Sequence, residues 1–131
     1  MDKNELLNQL ENNNGFYKHN NYKLVDYKDE EYVELKAELN DNSMNPYGFA
    51  HGGLIFGLGD TAMGVLARST GKKAVTLNAN ISYLRPANGK YIIAKAKLIK
   101  KGKQTAYLKA EIFNDNNKLS AMMDSNYFYI D

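Results

Sequence analysis

The sequence predicts an α+β domain in which an antiparallel sheet of about six strands wraps round one long apolar helix. Three observations carry this. Residues 53–69 are the most hydrophobic stretch, too long for a strand and apolar on almost every side, as a buried helix is. From residue 73 onward the pattern switches to alternation of apolar and polar residues, broken only by turn-forming clusters. A lone apolar helix among strands joined by short turns is buried when the sheet curls round it.

The elements follow in chain order. Asp2 followed by Glu5 resembles a capping box, Leu6, Leu7 and Leu10 then share a helix face, and Gly15 is placed to end that helix. Residues 21–28 read as a weak edge strand. Residues 31–39 alternate, with Val33, Leu35, Ala37 and Leu39 on one face and Glu34, Lys36 and Glu38 on the other. The turn-rich loop NDNSMNPYG leads into the helix over 53–69, which carries Gly53, Gly57, Gly59 and Gly64. Each glycine costs up to about 1 kcal/mol relative to alanine, so the helix depends on surrounding structure, and its small residues let a sheet approach closely. Residues 73–84 place Val75, Leu77, Ala79, Ile81 and Tyr83 on one face and Thr76, Asn78, Asn80 and Ser82 on the other. Strands over 90–101, 104–113 and 118–130 complete the chain, separated by the turns KKGK and NDNN. No linker or repeat divides the 131 residues, which suit one core, so 1–131 is read as a single domain whose first thirty residues add a helix and an edge strand.

Composition excludes several classes of function. A net charge of +2 is not the strongly basic balance of a nucleic-acid binder. The absence of cysteine excludes disulfides and thiolate metal sites, and His19 and His51 form no paired-ligand spacing, so no metal and no cofactor are expected. The polar, acidic start is unlike a secretory leader, and the apolar run over 53–67 is shorter than the ~20 residues a membrane helix needs. A soluble cytoplasmic protein is expected, with no membrane partner.

Within that apolar run stands one carboxylate, Asp60. An unpaired carboxylate in a dry core costs several kcal/mol or protonates, so the position needs a reason. The stretch NPYGFAHGGLIFGLGD, residues 45–60, has an asparagine, a glycine three residues on, then His-Gly-Gly, and an acid nine residues after the histidine. With NISYLRPA at 80–87, it resembles the signature of the hotdog-fold acyl-CoA thioesterases of the PaaI-like, phenylacetate-degradation type, over roughly residues 30–130. The resemblance implies a hotdog fold, homodimers paired into homotetramers, and metal-free hydrolysis of acyl-CoA. It implies Asp60 as the catalytic acid, the Gly52 N–H as the group polarising the thioester carbonyl, and Asn45 as its partner there. It further implies His51 as a loop residue holding that arrangement and Thr76 as an aid in placing water. Pro46 beside Asn45 departs from the family pattern and stiffens the loop.

The chemistry can also be argued directly. Thioester hydrolysis needs stabilisation of an oxyanion and an attacking group. Gly52 and Gly53 open a helix, where N–H groups are unpaired and the dipole is positive. Asp60 suits a general base on water or a direct nucleophile, and the sequence does not choose. Gly52 and Asp60 are eight positions apart, about 12 Å along a helix rising ~1.5 Å per residue. They cannot flank one carbonyl within a chain, so the pairing requires Asp60 of one subunit to meet the Asn45–Gly52 loop of another.

Plainer readings stand beside these. Asp60 could pair with Arg68 or cap a neighbouring backbone. His51 could stabilise a turn at the helix start, Gly52 and Gly53 could permit that turn, and Asn45 is an ordinary turn former. Thr76 suits any strand. Gly53, Arg85, Lys100, Lys101 and Lys103 are candidates for binding substrate, the basic ones through coenzyme A phosphates, against the reading of a solvated hairpin end. Met122, Met123, Tyr127 and Phe128 read as core or interface packing, with an acyl-pocket role open. The rivals to a thioesterase are a non-catalytic acyl-CoA binding or sensing protein and a hotdog hydratase. The first is opposed by the presence of Asp60, the second by the lack of a suitably placed histidine.

Overall fold

The computed structural model describes residues 1–12 and 14–130. The order is α1 (Lys3–Glu11), α2 (Gly15–His19), β1 (Tyr22–Lys28), β2 (Tyr32–Glu38), a 3-10 turn at Asp41–Ser43, α3 (Gly52–Arg68), β3 (Ala74–Tyr83), β4 (Tyr91–Lys101), β5 (Thr105–Asn114) and β6 (Leu119–Tyr129). The strands form one six-stranded sheet in the order β1-β2-β4-β5-β6-β3, every neighbouring pair antiparallel. One face packs on α3, which touches β2 through β6. This is the α+β architecture expected from the sequence.

Alternation sorts the strands as it should. Val33, Leu35 and Ala37 on β2, Ile92, Ala94 and Ala96 on β4, and Leu108, Ala110 and Ile112 on β5 are all buried, against Leu58, Ala62, Met63 and Leu66 of α3. Alanines at the centre of the sheet leave room for the helix backbone. Of the helix glycines, Gly59 faces the sheet, beside Met123 and Ile112. Gly57 instead faces Tyr22 and Phe16, so its small size admits the N-terminal segment.

The N-terminal region differs from expectation in one respect. The side chain of Asp2 accepts from the Glu5 N–H at 2.9 Å and caps α1, but the helix ends at Glu11. Gly15 opens a second short helix instead of closing the first. Leu10 and Tyr17, one from each, are both buried. The Tyr17 hydroxyl accepts from the Leu24 N–H at 2.9 Å, so a single straight helix is given up for two that each place an apolar side chain on the core.

Strand β3 carries the second difference. Its register with β6 shifts between Thr76 and Asn78, leaving Leu77 as the extra residue of a bulge. Ala74 and Thr76 pair with the buried Tyr129 and Tyr127, and beyond the bulge Ala79 and Ile81 pair with the buried Ser125 and Met123. Thr76 therefore shares the helix-facing side with Ala79, Ile81 and Tyr83, and Val75 points outward, 47% exposed. Strict alternation had put Thr76 on the opposite face from them; one inserted residue reverses that phase.

A methyl group added at Gly59 would overlap the Met123 Sδ and lie 3.3 Å from Ile112 Cδ1. Gly59→Ala is expected to lower stability by about 1–3 kcal/mol, the usual cost of overpacking. In denaturant unfolding, Gly59→Ala combined with Met123→Ala should lose less than the sum of the two single losses. Additive losses would show that the helix is not held against the sheet at this point.

Candidate active site

The loop before α3 is built to present its start. Backbone bonds from Ala50 N–H to the Ala87 carbonyl (2.7 Å) and from His51 N–H to the Ser43 carbonyl (2.8 Å) anchor it. Asn45 organises the turn. Its Oδ1 accepts from the Tyr47 N–H at 2.9 Å and the Phe49 N–H at 3.1 Å. Two backbone donors can face only the oxygen, so the amide orientation is settled by the network. The Nδ2 amino group then points away from the loop backbone and has no hydrogen-bond partner among the described residues.

His51 is the N-cap of α3, its Nδ1 accepting from the Gly53 N–H at 2.8 Å. That nitrogen must be unprotonated to accept, which places the proton of the neutral ring on Nε2. His51 thus does what the turn reading required. One consequence falls on Gly53, whose N–H is committed and is not a free donor. The Gly52 N–H has no partner among the described residues, while the Gly52 carbonyl accepts from the Tyr83 hydroxyl at 2.7 Å. A free N–H at the first helical position lies in the positive field of the helix dipole, where a developing anion is favoured.

Asn45, Gly52, Gly53, Phe49, Tyr83 and Arg85 border one cavity of about 610 Å³. Leu84 and Ile55 also line it, so a polar rim of two free N–H sources opens onto apolar walls.

Asp60 lies two turns further along α3, partly buried. The Thr76 hydroxyl donates to its Oδ1 at 2.9 Å, and the Tyr127 hydroxyl lies 2.5 Å from the same oxygen and 2.7 Å from the Asp60 carbonyl oxygen. Oδ2 accepts no hydrogen bond among the described residues. No Asp60–Arg68 ion pair forms among them either, so the carboxylate is held by hydroxyls. Burial, and then the charge of Asp60, raise Tyr127 well above the usual range of a tyrosine, and burial and the same charge raise Tyr22, whose hydroxyl donates to the Leu54 carbonyl at 2.9 Å. Both phenols stay protonated and remain donors.

The site residues expected from the sequence therefore fall into two groups. Asn45, Gly52, Gly53 and Arg85 border the cavity at the start of α3, with His51 capping it; Asp60 and Thr76 meet two turns away, outside that cavity. Lys100, Lys101 and Lys103 lie at the other end of β4 from Arg85, about 30 Å along a strand rising ~3.3 Å per residue. All three are exposed, and Lys101 pairs with Glu30 at 2.8 Å. Their turn leads into Thr105, which is opposite Phe128, so they stand at the Thr76–Tyr127 end of the sheet.

A family model described as the thioesterase superfamily matches residues 47–121. The chain belongs to the thioesterase superfamily. Its relatives place it among the PaaI-like hotdog thioesterases. It is 33% identical to the acyl-coenzyme A thioesterase PaaI of Escherichia coli over 95 residues, 72% of this chain and 68% of that protein. It is 30% identical to a putative esterase of Archaeoglobus fulgidus over 102 residues, 77% of this chain and 66% of that protein, just under two thirds of the relative's length. The solved E. coli PaaI structure matches with a TM-score of 0.91 at 24% identity, covering 97% of this chain and 92% of that one, and establishes the hotdog fold. A Streptococcus mutans protein bound to acetyl CoA matches with a TM-score of 0.78 at 31% identity, covering 83% and 88%. Solved variants of a Streptococcus pneumoniae hypothetical thioesterase carry alanine for an aspartate or for a threonine; the aspartate variant matches at TM-score 0.78 and 26% identity, covering 84% and 91%.

Two groups in this thioesterase were not singled out from its sequence. Tyr83 was assigned to a strand face and Tyr127 to packing, because an alternating pattern reports the face of a tyrosine and not the reach of its hydroxyl. The usable signal for Tyr127 is its register opposite Thr76, which requires knowing the bulge.

Folding raises the ionisation of Tyr22 and Tyr127 above the ordinary value of 10.0, so it favours their protonated forms. The stability this contributes is complete below pH 10.0 and is lost as pH rises further, because the unfolded chain then ionises these phenols and the folded chain does not. Melting temperature is expected to fall steeply above that pH, and Tyr22→Phe should flatten the fall. An unchanged alkaline slope in the variant would contradict this.

Proposed function

We propose that this thioesterase hydrolyses acyl-CoA to a free acid and coenzyme A at a site shared between two copies of the chain. The observation that carries the reading is the separation on one helix of a free amide, Gly52 N–H, and a hydroxyl-held carboxylate, Asp60. Neither half can react alone, and each supplies what the other lacks.

The thioester carbonyl oxygen sits against the Gly52 N–H and the Asn45 Nδ2 of one copy. Asp60 of the other copy takes a proton from water as the water oxygen attacks the carbonyl carbon. The C=O π pair moves to the oxygen, where the amide donors and the helix dipole stabilise it. Collapse breaks the C–S bond, the sulfur leaves with its electron pair, and the proton on Asp60 returns to it. Direct attack by Asp60 on the carbonyl carbon, with later hydrolysis of the anhydride, uses the same groups. The apolar walls beside Phe49, Ile55 and Leu84 suit the acyl part.

Thr76 supports Asp60 directly in this reading, since its hydroxyl bonds the carboxylate. The pneumococcal variants, made at an aspartate and a threonine, support it further: those two positions are sixteen apart, the separation of Asp60 and Thr76. Coenzyme A as the carrier is supported by the activity named for E. coli PaaI and by the acetyl CoA of the S. mutans structure. Its phosphates meet Arg85 of one copy and the turn holding Lys100, Lys101 and Lys103 of the other. The assembly is a homodimer, paired into a homotetramer and working in the cytoplasm.

Asp60→Asn keeps the shape and removes the charge, and turnover of a panel of acyl-CoA substrates should fall by at least ~10²-fold, the lower value of general-base help. Mixing Asp60→Asn subunits with Asn45→Ala subunits should restore activity, because each mixed dimer regains one intact site. A site confined to one chain restores nothing on mixing, and that result would overturn the shared-site reading.

Arg85→Ala should raise KM for acyl-CoA and leave unchanged the KM of an N-acetylcysteamine thioester, which lacks the nucleotide. An equal response of both substrates would assign Arg85 to ordinary surface.

A further inference from the structure

Among the described residues Asp60 accepts side-chain hydrogen bonds on one oxygen only, and this asymmetry distinguishes its two oxygens. Two hydroxyls converge on Oδ1, Thr76 from β3 and Tyr127 from β6, while Oδ2 has no partner among the described residues. Thr76 and Tyr127 are register partners across adjacent strands, so the sheet itself sets the spacing of the two donors. That spacing exists only because the bulge at Leu77 brings Thr76 onto the helix face.

The two donors differ in rigidity. Thr76 is exposed, on an edge strand, with a short side chain. Tyr127 is 1% exposed on an interior strand. Its ring lies close over the hydrogen-only side of Gly64, within 3.4 Å of where a β-carbon would stand, and the Arg68 Nη1 lies beside it at 3.1 Å from the same point. A phenol has one proton. Of the two oxygens near it, the carboxylate is charged and is the stronger acceptor, and the helix carbonyl of Asp60 already serves the backbone ladder. The proton therefore goes to Oδ1.

We propose that Tyr127 is a positioning residue that clamps the Asp60 carboxylate through Oδ1, so that Oδ2 is the oxygen that takes the proton from water or attacks the thioester. This rests on the reading of Asp60 as the reacting acid and adds to it which oxygen reacts and what aims it. A carboxylate bonded by two donors at one oxygen cannot turn about its Cβ–Cγ bond without breaking both. With Tyr127 removed, only the exposed Thr76 hydroxyl opposes that rotation. Tyr127 itself does not touch the substrate in this arrangement.

The test is Tyr127→Phe, which keeps the ring and removes the hydroxyl, with kcat and KM measured below the melting range. The expected result is a fall in kcat of about 10- to 100-fold, the scale on which misplacement of a reacting group acts, with KM unchanged. In the Asp60→Asn background the same substitution should change the residual rate by less than twofold. A purely structural Tyr127 would lower the melting temperature and leave kcat of the folded enzyme as it was, and an unchanged or higher kcat overturns the proposal. An equal fall in both backgrounds overturns it too. Should Tyr127→Phe not fold, a fluorinated tyrosine placed at 127 alone preserves shape and alters only the hydroxyl; kcat must then move with KM constant, and a kcat that ignores fluorination overturns the proposal. Failure of the underlying reading shows differently: Asp60→Asn would itself remain active.

Discussion

Everything in this chain depends on a glycine-rich helix that is stable only when enclosed. Five glycines fall within Gly52–Arg68, a sequence with poor intrinsic helicity, and the compensation is burial of Leu58, Met63, Leu66 and their neighbours to almost nothing. Enclosure in turn dictates the sheet. Strands β2, β4 and β5 carry buried alanines in the core shared with the helix, and Gly59 accepts Met123 where a larger residue would collide. The packing that permits the helix is thus the packing that fixes where its polar groups stand.

Those polar groups sit at two points with different physics. At the start of α3 the chemistry belongs to the backbone: a capping histidine takes the Gly53 N–H, a turn locks Asn45 by its oxygen, and what is left over is a pair of N–H donors facing a cavity. Two turns on, the chemistry belongs to side chains held by the sheet. Asp60 avoids the cost of a naked buried charge because Thr76 and Tyr127 solvate one of its oxygens. The charge in the middle of the apolar run is tolerated for that reason.

The fold was legible in the sequence because period-two and helix-like patterns are long here and rarely broken. The central helix, read over 53–69 and found at Gly52–Arg68, the order of the strands along the chain and the burial of alternate residues on β2, β4 and β5 all follow from patterning. Two features were not legible. Gly15 carries the same signal whether it ends one helix or begins another, and only the burial of Tyr17 decides. The bulge at Leu77 leaves no mark in composition, yet it inverts the facing of everything before it on β3. The site was half legible. The spacing of Asn45, the His51-Gly52-Gly53 turn and Asp60 could be read directly, but the partners of Asp60 come from strands distant in sequence. Neither hydroxyl stands out in a local pattern.

Strand β3 is where the two points come together. It forms the edge of the sheet, and along it and just beyond it Val75, Leu77, Tyr83 and Leu84 are exposed by 47%, 56%, 53% and 56%. A bare apolar edge with unpaired backbone groups is what a chain covers with another strand. The same strand touches both half-sites, Thr76 near one end bonding Asp60 and Tyr83 at the other bonding Gly52. In an antiparallel pair about a two-fold axis, residues at opposite ends of one strand face each other across the axis. A second copy laid along β3 with the axis near Ala79 and Asn80 would therefore bring the Thr76 end of one chain against the Tyr83 end of the other. The Asp60 of each would approach the Gly52 of its neighbour. In the shared-site reading proposed above, that one pairing would both cover the apolar edge and join the two halves separated along the helix.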